Sequence, residues 1–256
     1  MTARPKIRAT IGTFIVVLVL ALSQSLRDIS RALGLGFPRF PFPWGSSILD
    51  NAIALVLALA VALCLAPRLK KENLGLHWNG WAGPALTLLA TLPCWIGLGL
   101  QGKIASDLRM VDLLMLALVF PLAEEIIFRG FGFVYTRTAL RWSLPAAAAL
   151  QAVIFGLIHW FNAGAGGGVA AEILCITFFG GLLFAALDAL DDYAIWSGWV
   201  FHCSVNAAWE VFSVSDNAAT GWIGNSLRIA SALLALLLLT FILPRLWRPS
   251  RERAEA

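Results

Sequence analysis

Charge is scarce in this chain. Only 13% of its 256 residues are Asp, Glu, Lys or Arg, against roughly 25% in a soluble globular domain. Hydrophobic residues make up 59% and the mean hydropathy is +0.80, so the composition excludes a water-soluble domain and implies a polytopic membrane protein. Long polar segments are missing as well. None approaches the size of an independently folding unit, which leaves one membrane domain over residues 1–256. Cysteine is sparse: Cys64, Cys94, Cys175 and Cys203 sit in apolar runs without CxxC spacing. That excludes a disulfide framework and reads as small buried hydrophobes. Nucleic-acid binding is excluded too, because the net charge of +4 and pI near 9.1 come with no basic stripe interleaved with aromatics. No internal repeat is visible, which speaks against a small transporter built from inverted halves. Arg4, Lys6 and Arg8 precede the apolar run Ile11 to Leu22 as in a signal peptide, but no clear A-x-A site follows. The run is read as a first membrane helix, with cleavage as the alternative.

Eight apolar segments of spanning or near-spanning length are present, at about 9–26, 47–66, 83–100, 110–140, 144–160, 169–190, 194–213 and 225–243. The expected fold is therefore all-α, with about eight transmembrane helices. Alternate connections, including the N-terminal residues, Arg68 to Lys71, Arg137 to Arg141 and the tail from Arg245 to Arg253, hold 13 of the 19 basic residues. The other side holds Arg27, Arg31, Arg39, Lys103, Arg109 and Arg228. The positive-inside rule then places both termini in the cytoplasm, for a multi-pass protein of the cell membrane. Tryptophans near segment ends, such as Trp44, Trp78, Trp142 and Trp222, form an interfacial belt.

Three polar clusters interrupt these apolar segments: Glu124-Glu125 with Arg129, Phe155 with His159, and His202 with Asn206. Ionisable groups at bilayer depth are expensive and mark function. If the segment from Met110 runs as one helix to a turn at Arg141 to Ser143, Glu124 lies 17 residues before that turn and His159 16 residues after it. At 1.5 Å per residue both sit about 25 Å from the turn, level across a helical hairpin. His202 and Asn206 are four apart and share one helix face. Arg129 is likewise four beyond Glu125 and can pair with it, while Phe155 provides an apolar wall under His159. A carboxylate near a neutral imidazole can hold and deprotonate water. A second imidazole and an amide N–H can hold the oxyanion of a tetrahedral intermediate. Together they describe amide hydrolysis without a covalent intermediate. Cys203 adjoins His202, but neighbouring helix residues point about 100° apart, which argues against a thiol nucleophile.

The motifs Glu124-Glu125-Ile126-Ile127-Phe128-Arg129, Phe155-Gly156-Leu157-Ile158-His159 and His202-Cys203-Ser204-Val205-Asn206, in this order on separate apolar helices, resemble the CAAX protease and bacteriocin-processing (CPBP, or Abi) family. The similarity covers roughly Asp112 to Phe212. It implies a glutamate-dependent intramembrane endopeptidase with its catalytic core over 110–213. In it Glu124 and His159 would activate water, His202 and Asn206 would form the oxyanion hole, and Glu125, Arg129 and Phe155 would support them. The implied partners are the lipid bilayer and a membrane-associated peptide or protein substrate, prenylated C-termini among them. No HExxH is present and no histidine pair has zinc-ligand spacing on one helix, so a mechanism without a cofactor is favoured. Zinc held by Glu124, His159 and His202 is the alternative. A non-catalytic immunity or scaffold protein of the same family is the competing function.

The remaining polar residues have plainer readings. His77 beside Trp78 is interfacial. Glu172, Asp188, Asp191, Asp192, Glu210 and Asp216 near segment ends are solvated caps, and Gly164 to Gly168 is a flexible loop that can cover the site.

Overall fold

Proline, glycine and short polar breaks divide the apolar chain into helices. The computed structural model describes residues 3–66, 68–213 and 221–247, with side chains over 11–66, 68–212 and 221–247. In chain order the helices are α1 (Ala3–Leu22), α2 (Leu26–Ala32), α3 (Gly45–Leu65), α4 (Ala82–Ala90), α5 (Leu92–Gln101), α6 (Met110–Leu114), α7 (Phe120–Glu124), α8 (Thr136–Thr138), α9 (Leu144–Asn162), α10 (Gly167–Leu190), α11 (Trp196–Val211) and α12 (Trp222–Phe241). Two π-helical stretches, Met115–Val119 and Glu125–Tyr135, join α6 to α7 and α7 to α8. Extended structure is confined, among the described residues, to two-residue strands β1 (Lys103–Ile104) and β2 (Phe212–Ser213), antiparallel with Ile104 opposite Phe212. Arg248, Arg251, Arg253 and Asp216, used in the sequence reading, lie outside the described residues.

Local chemistry explains the boundaries. Ser143 caps α9 by accepting the Ala146 N–H at 3.4 Å, and Pro145 occupies the first turn, where its missing N–H costs nothing. Thr91 separates α4 from α5, with Pro93 in the first turn of α5. The chain does not continue as one helix to residue 26. It breaks at Ser23 to Ser25, where Gln24 has a left-handed φ of 64°, and α2 leaves at 82° to the last part of α1.

All eight apolar segments are helical. By length and composition α3, α4 with α5, α9, α10 and the stretch Trp222–Trp247 can each cross a membrane, and the bent pair α1 and α2 makes a sixth if it counts as one span. The other two segments carry the first and third polar motifs. The stretch 110–138 contains Glu124, Glu125 and Arg129, and α11 has 16 residues, about 24 Å against a hydrocarbon core of about 30 Å. Large apolar side chains such as Phe14, Val56, Leu100 and Phe179 are exposed at 65% or more, as suits helix faces turned to lipid. Cys64 and Cys175 are also exposed, whereas Cys94 is buried and Cys203 half-buried. The expectation of four buried thiols holds only for Cys94.

The chain divides into two compact units: Met1–Gly75 with Ala123–Leu182, and Leu76–Leu122 with Leu183–Ala256. In the first, α1, α3 and α9 pack around the π-helical stretch Glu125–Tyr135, whose residues are all buried except Ile126. In the second, α4, α5, α11 and α12 form a bundle. Its core contains Ala90, Cys94, Leu98, Phe201, Val205, Ala208, Ala235 and Leu239.

Candidate active site

The first unit contains Glu124, Glu125, Arg129, Phe155 and His159. Side-chain contacts fix how α9 runs against the π-helical stretch. Gly132 approaches Gln151 so closely that an added Cβ would lie 3.0 Å from the Gln151 Cβ. One turn on, the rings of Phe128 and Phe155 meet edge to face at 4.9 Å. Each contact lies four residues back along one element and four forward along the other. Extended by one more step of four residues, this antiparallel register pairs Glu124 with His159.

Around that step the side chains are tightly ordered. Arg129 Nε lies 3.6 Å from Glu125 Oε2, with both side chains wholly buried. Opposite charges at four-residue spacing within a dry interior hold each other in place. The Arg129 guanidinium also stacks on Phe155, its Cζ 4.6 Å from the ring centroid. The other neighbour of Phe155 is the His159 ring, 4.3 Å away, so the aromatic wall expected beneath the imidazole is present. His159 Nδ1 lies 2.9 Å from the Phe155 carbonyl. A carbonyl only accepts, so Nδ1 carries the proton and Nε2 is left as the ring's other nitrogen. Glu124 Oε1 accepts a hydrogen bond from the Gln24 amide at 2.9 Å.

The second unit contains His202 and Asn206, one turn apart on α11. His202 packs against Phe184, ring centroids 4.8 Å apart. Asn206 donates from Nδ2 to the Leu116 carbonyl at 3.1 Å. That carbonyl is available for a physical reason. In the π-turn the Phe120 N–H bonds to the Met115 carbonyl instead, and Pro121, the next residue, has no N–H. Asn206 supplies the missing donor, and its second amide hydrogen remains for another acceptor. The adjoining face of α11 borders an apolar cavity of about 450 Å³ walled by Trp95, Leu114, Leu118, Trp199, Cys203 and Ala207.

The start of α11 is anchored by groups that the sequence reading placed in solvent. Asp188 and Asp191 are 0% and 2% exposed, so they are buried and not solvated caps. Asp191 Oδ2 accepts from Ser197 Oγ at 2.5 Å, and its carbonyl accepts from Asn79 at 2.6 Å. His77 Nε2 donates to the Asp192 carbonyl at 3.1 Å, and Trp196 Nε1 donates to the His77 carbonyl at 2.8 Å. Burial pushes the Asp191 carboxyl up to about 6, against the lowering effect of Ser197, Asn79 and His77. Within neither unit do three His, Cys, Asp or Glu side chains gather so as to hold a metal ion, among the described residues.

Sequence reasoning missed Gln24, Leu116 and Pro121. Pro121 inside an apolar run signals a disturbed helix. Nothing local connects Gln24 with a carboxylate 100 residues away.

The helices and their polar clusters define a multi-pass, all-α membrane protein with acid, imidazole and amide side chains on its short or charged segments. Residues 106–208 match the family model described as "Type II CAAX prenyl endopeptidase Rce1-like". This segment, about two fifths of the chain, is similar to the CAAX protease and bacteriocin-processing family, a likeness that supports a CAAX-type intramembrane endopeptidase at family level. No curated protein and no solved structure matches the chain.

Proposed function

We propose that the chain hydrolyses a peptide bond of a membrane-associated substrate with a water molecule activated by Glu124 and His159. One observation supports this reading: the contacts of Gly132 with Gln151 and of Phe128 with Phe155 follow a register that, extended one step, pairs Glu124 with His159, whose Nδ1–H is committed to the Phe155 carbonyl. The carboxylate takes a proton from water while Nε2 of His159 accepts a hydrogen bond from the other hydrogen. The hydroxide attacks the carbonyl carbon without a covalent enzyme intermediate, and Glu124 returns the proton to the leaving amine as the C–N bond breaks. His202 and the second amide hydrogen of Asn206 donate to the oxyanion that forms. Glu125 and Arg129 act from behind, with Phe155 stacked between Arg129 and His159. The catalytic core is residues 110–213, both termini are cytoplasmic, and the enzyme works in the cell membrane. The substrate class is a peptide or protein held at the bilayer, including C-terminal CAAX sequences bearing a prenyl group. No metal takes part in this scheme. Chelators should leave activity intact; a loss that zinc restores would favour zinc on Glu124, His159 and His202.

The reading is tested by comparing protein C-termini by mass spectrometry between cells with the gene and cells without it, then complementing with Glu124→Ala. Processing should return with the wild type and not with the variant, at equal expression. Restored processing by Glu124→Ala would remove Glu124 from the chemistry.

A further inference from the structure

We propose that Gln24 is a positioning residue for Glu124, supplied by the first helical break and lying outside the segment that matches the family model. The inference rests on the reading of Glu124 as the base. The Gln24 side chain donates Nε2–H to Glu124 Oε1 at 2.9 Å. An ionised carboxylate only accepts, so the amide must present its NH₂ end. The last bond of a glutamate side chain rotates in a broad, two-fold well. A donor on Oε1 fixes the carboxylate plane.

The backbone at Gln24 supports the assignment. Its φ of 64° is left-handed, a region that glycine enters without strain and asparagine more readily than other residues. If the chain needed only to bend by 82° here, glycine would serve better. Gln24 is held in this conformation by its surroundings: Ser23 is buried and donates to the Leu20 carbonyl at 2.6 Å, and Ser25 donates to the Ala21 carbonyl at 3.3 Å. Leu20 in turn packs on the π-helical stretch, where a Cβ on Gly132 would come within 3.2 Å of it. The bend therefore aims one polar side chain at the carboxylate from a fixed anchor. Strained residues kept at a polar contact mark functional positions.

The test compares Gln24→Gly, Gln24→Met and Glu124→Gln with the wild type in detergent, on a prenylated peptide ending in a CAAX sequence. A hydrogen bond to a charged group is worth a factor of roughly 10 to 100. Gln24→Gly and Gln24→Met should both lower kcat by that factor with KM unchanged. Their unfolding temperatures should differ, because glycine relieves the left-handed strain and methionine retains it. A purely structural role would make kcat follow stability, with Gln24→Gly fully active. Wild-type kcat in Gln24→Gly beside an inactive Glu124→Gln overturns this inference alone. An active Glu124→Gln overturns the reading of the base, and this inference with it.

Discussion

Asp191 makes the protein less stable as pH rises, although most carboxylates do the opposite. Its side chain is 2% exposed at the turn before α11 and titrates near 6 instead of 3.8. Burial is the main cause, partly offset by the Ser197 hydroxyl, Asn79 and the neighbouring His77. A carboxyl with a higher pKa folded than unfolded keeps its proton longer in the folded state. Its contribution is present in full below about pH 4 and is lost as pH rises through about 6. A shift of about two pH units corresponds to about 3 kcal/mol. Asp191→Asn keeps the shape and an oxygen acceptor for Ser197 but cannot ionise. Thermal unfolding in detergent, followed by circular dichroism at a series of pH values from 4 to 8, should show the two proteins equal at the acid end. The variant should then gain on the wild type through about pH 4 to 6, by several degrees at the plateau above that. A constant difference across that range would refute the buried, proton-holding carboxyl, as would a wild type that gains on the variant as pH rises.

Other substitutions probe the packing that sets the site. Gly132→Val should push α9 away from the π-helical stretch, costing about 1–3 kcal/mol and lowering peptidase activity through the Glu124–His159 register; unchanged unfolding and activity would contradict the close approach. Phe155→Ala removes a ring that is 5% exposed and lies between Arg129 and His159, so it should cost about 3–5 kcal/mol, with Phe155→Leu milder in the same melts. Asn206→Ala should lower kcat by roughly 10²–10³ in the peptide assay. Pro121→Ala, which adds a main-chain donor to compete for the Leu116 carbonyl, should lower it less while the protein stays folded.

Much of the site could be read from residue spacing, because helices convert sequence distance into depth. Counting from the turn near Arg141 already levels Glu124 with His159, and the side-chain contacts between α9 and its partner follow the same register. The share of one face by His202 and Asn206 follows from a regular α11. What the spacing did not carry are features made by hydrogen bonds between distant residues. The π-turns arise from a shift of acceptor by one residue, which has no composition of its own; Pro121 alone hints at it. Gln24 looks like a polar residue at the end of an apolar run, and only the bend aims it at Glu124. Asp188 and Asp191 resemble ordinary helix ends, yet the loop carrying His77 and Asn79 closes over Asp191. The number of spans also depended on tertiary detail, since the break at Gln24 and the 16-residue α11 follow from hydrogen bonding and packing.

The central claim is that Glu124 activates the water that cleaves the substrate. Its most direct measurement is turnover of a prenylated CAAX peptide by purified wild type and Glu124→Gln, matched for folding by their unfolding curves. The amide keeps the size of the side chain and can still meet Gln24, but it cannot take a proton. Turnover should fall at least about 10²-fold with the melt unchanged. A folded Glu124→Gln protein that cleaves at the wild-type rate would contradict the account.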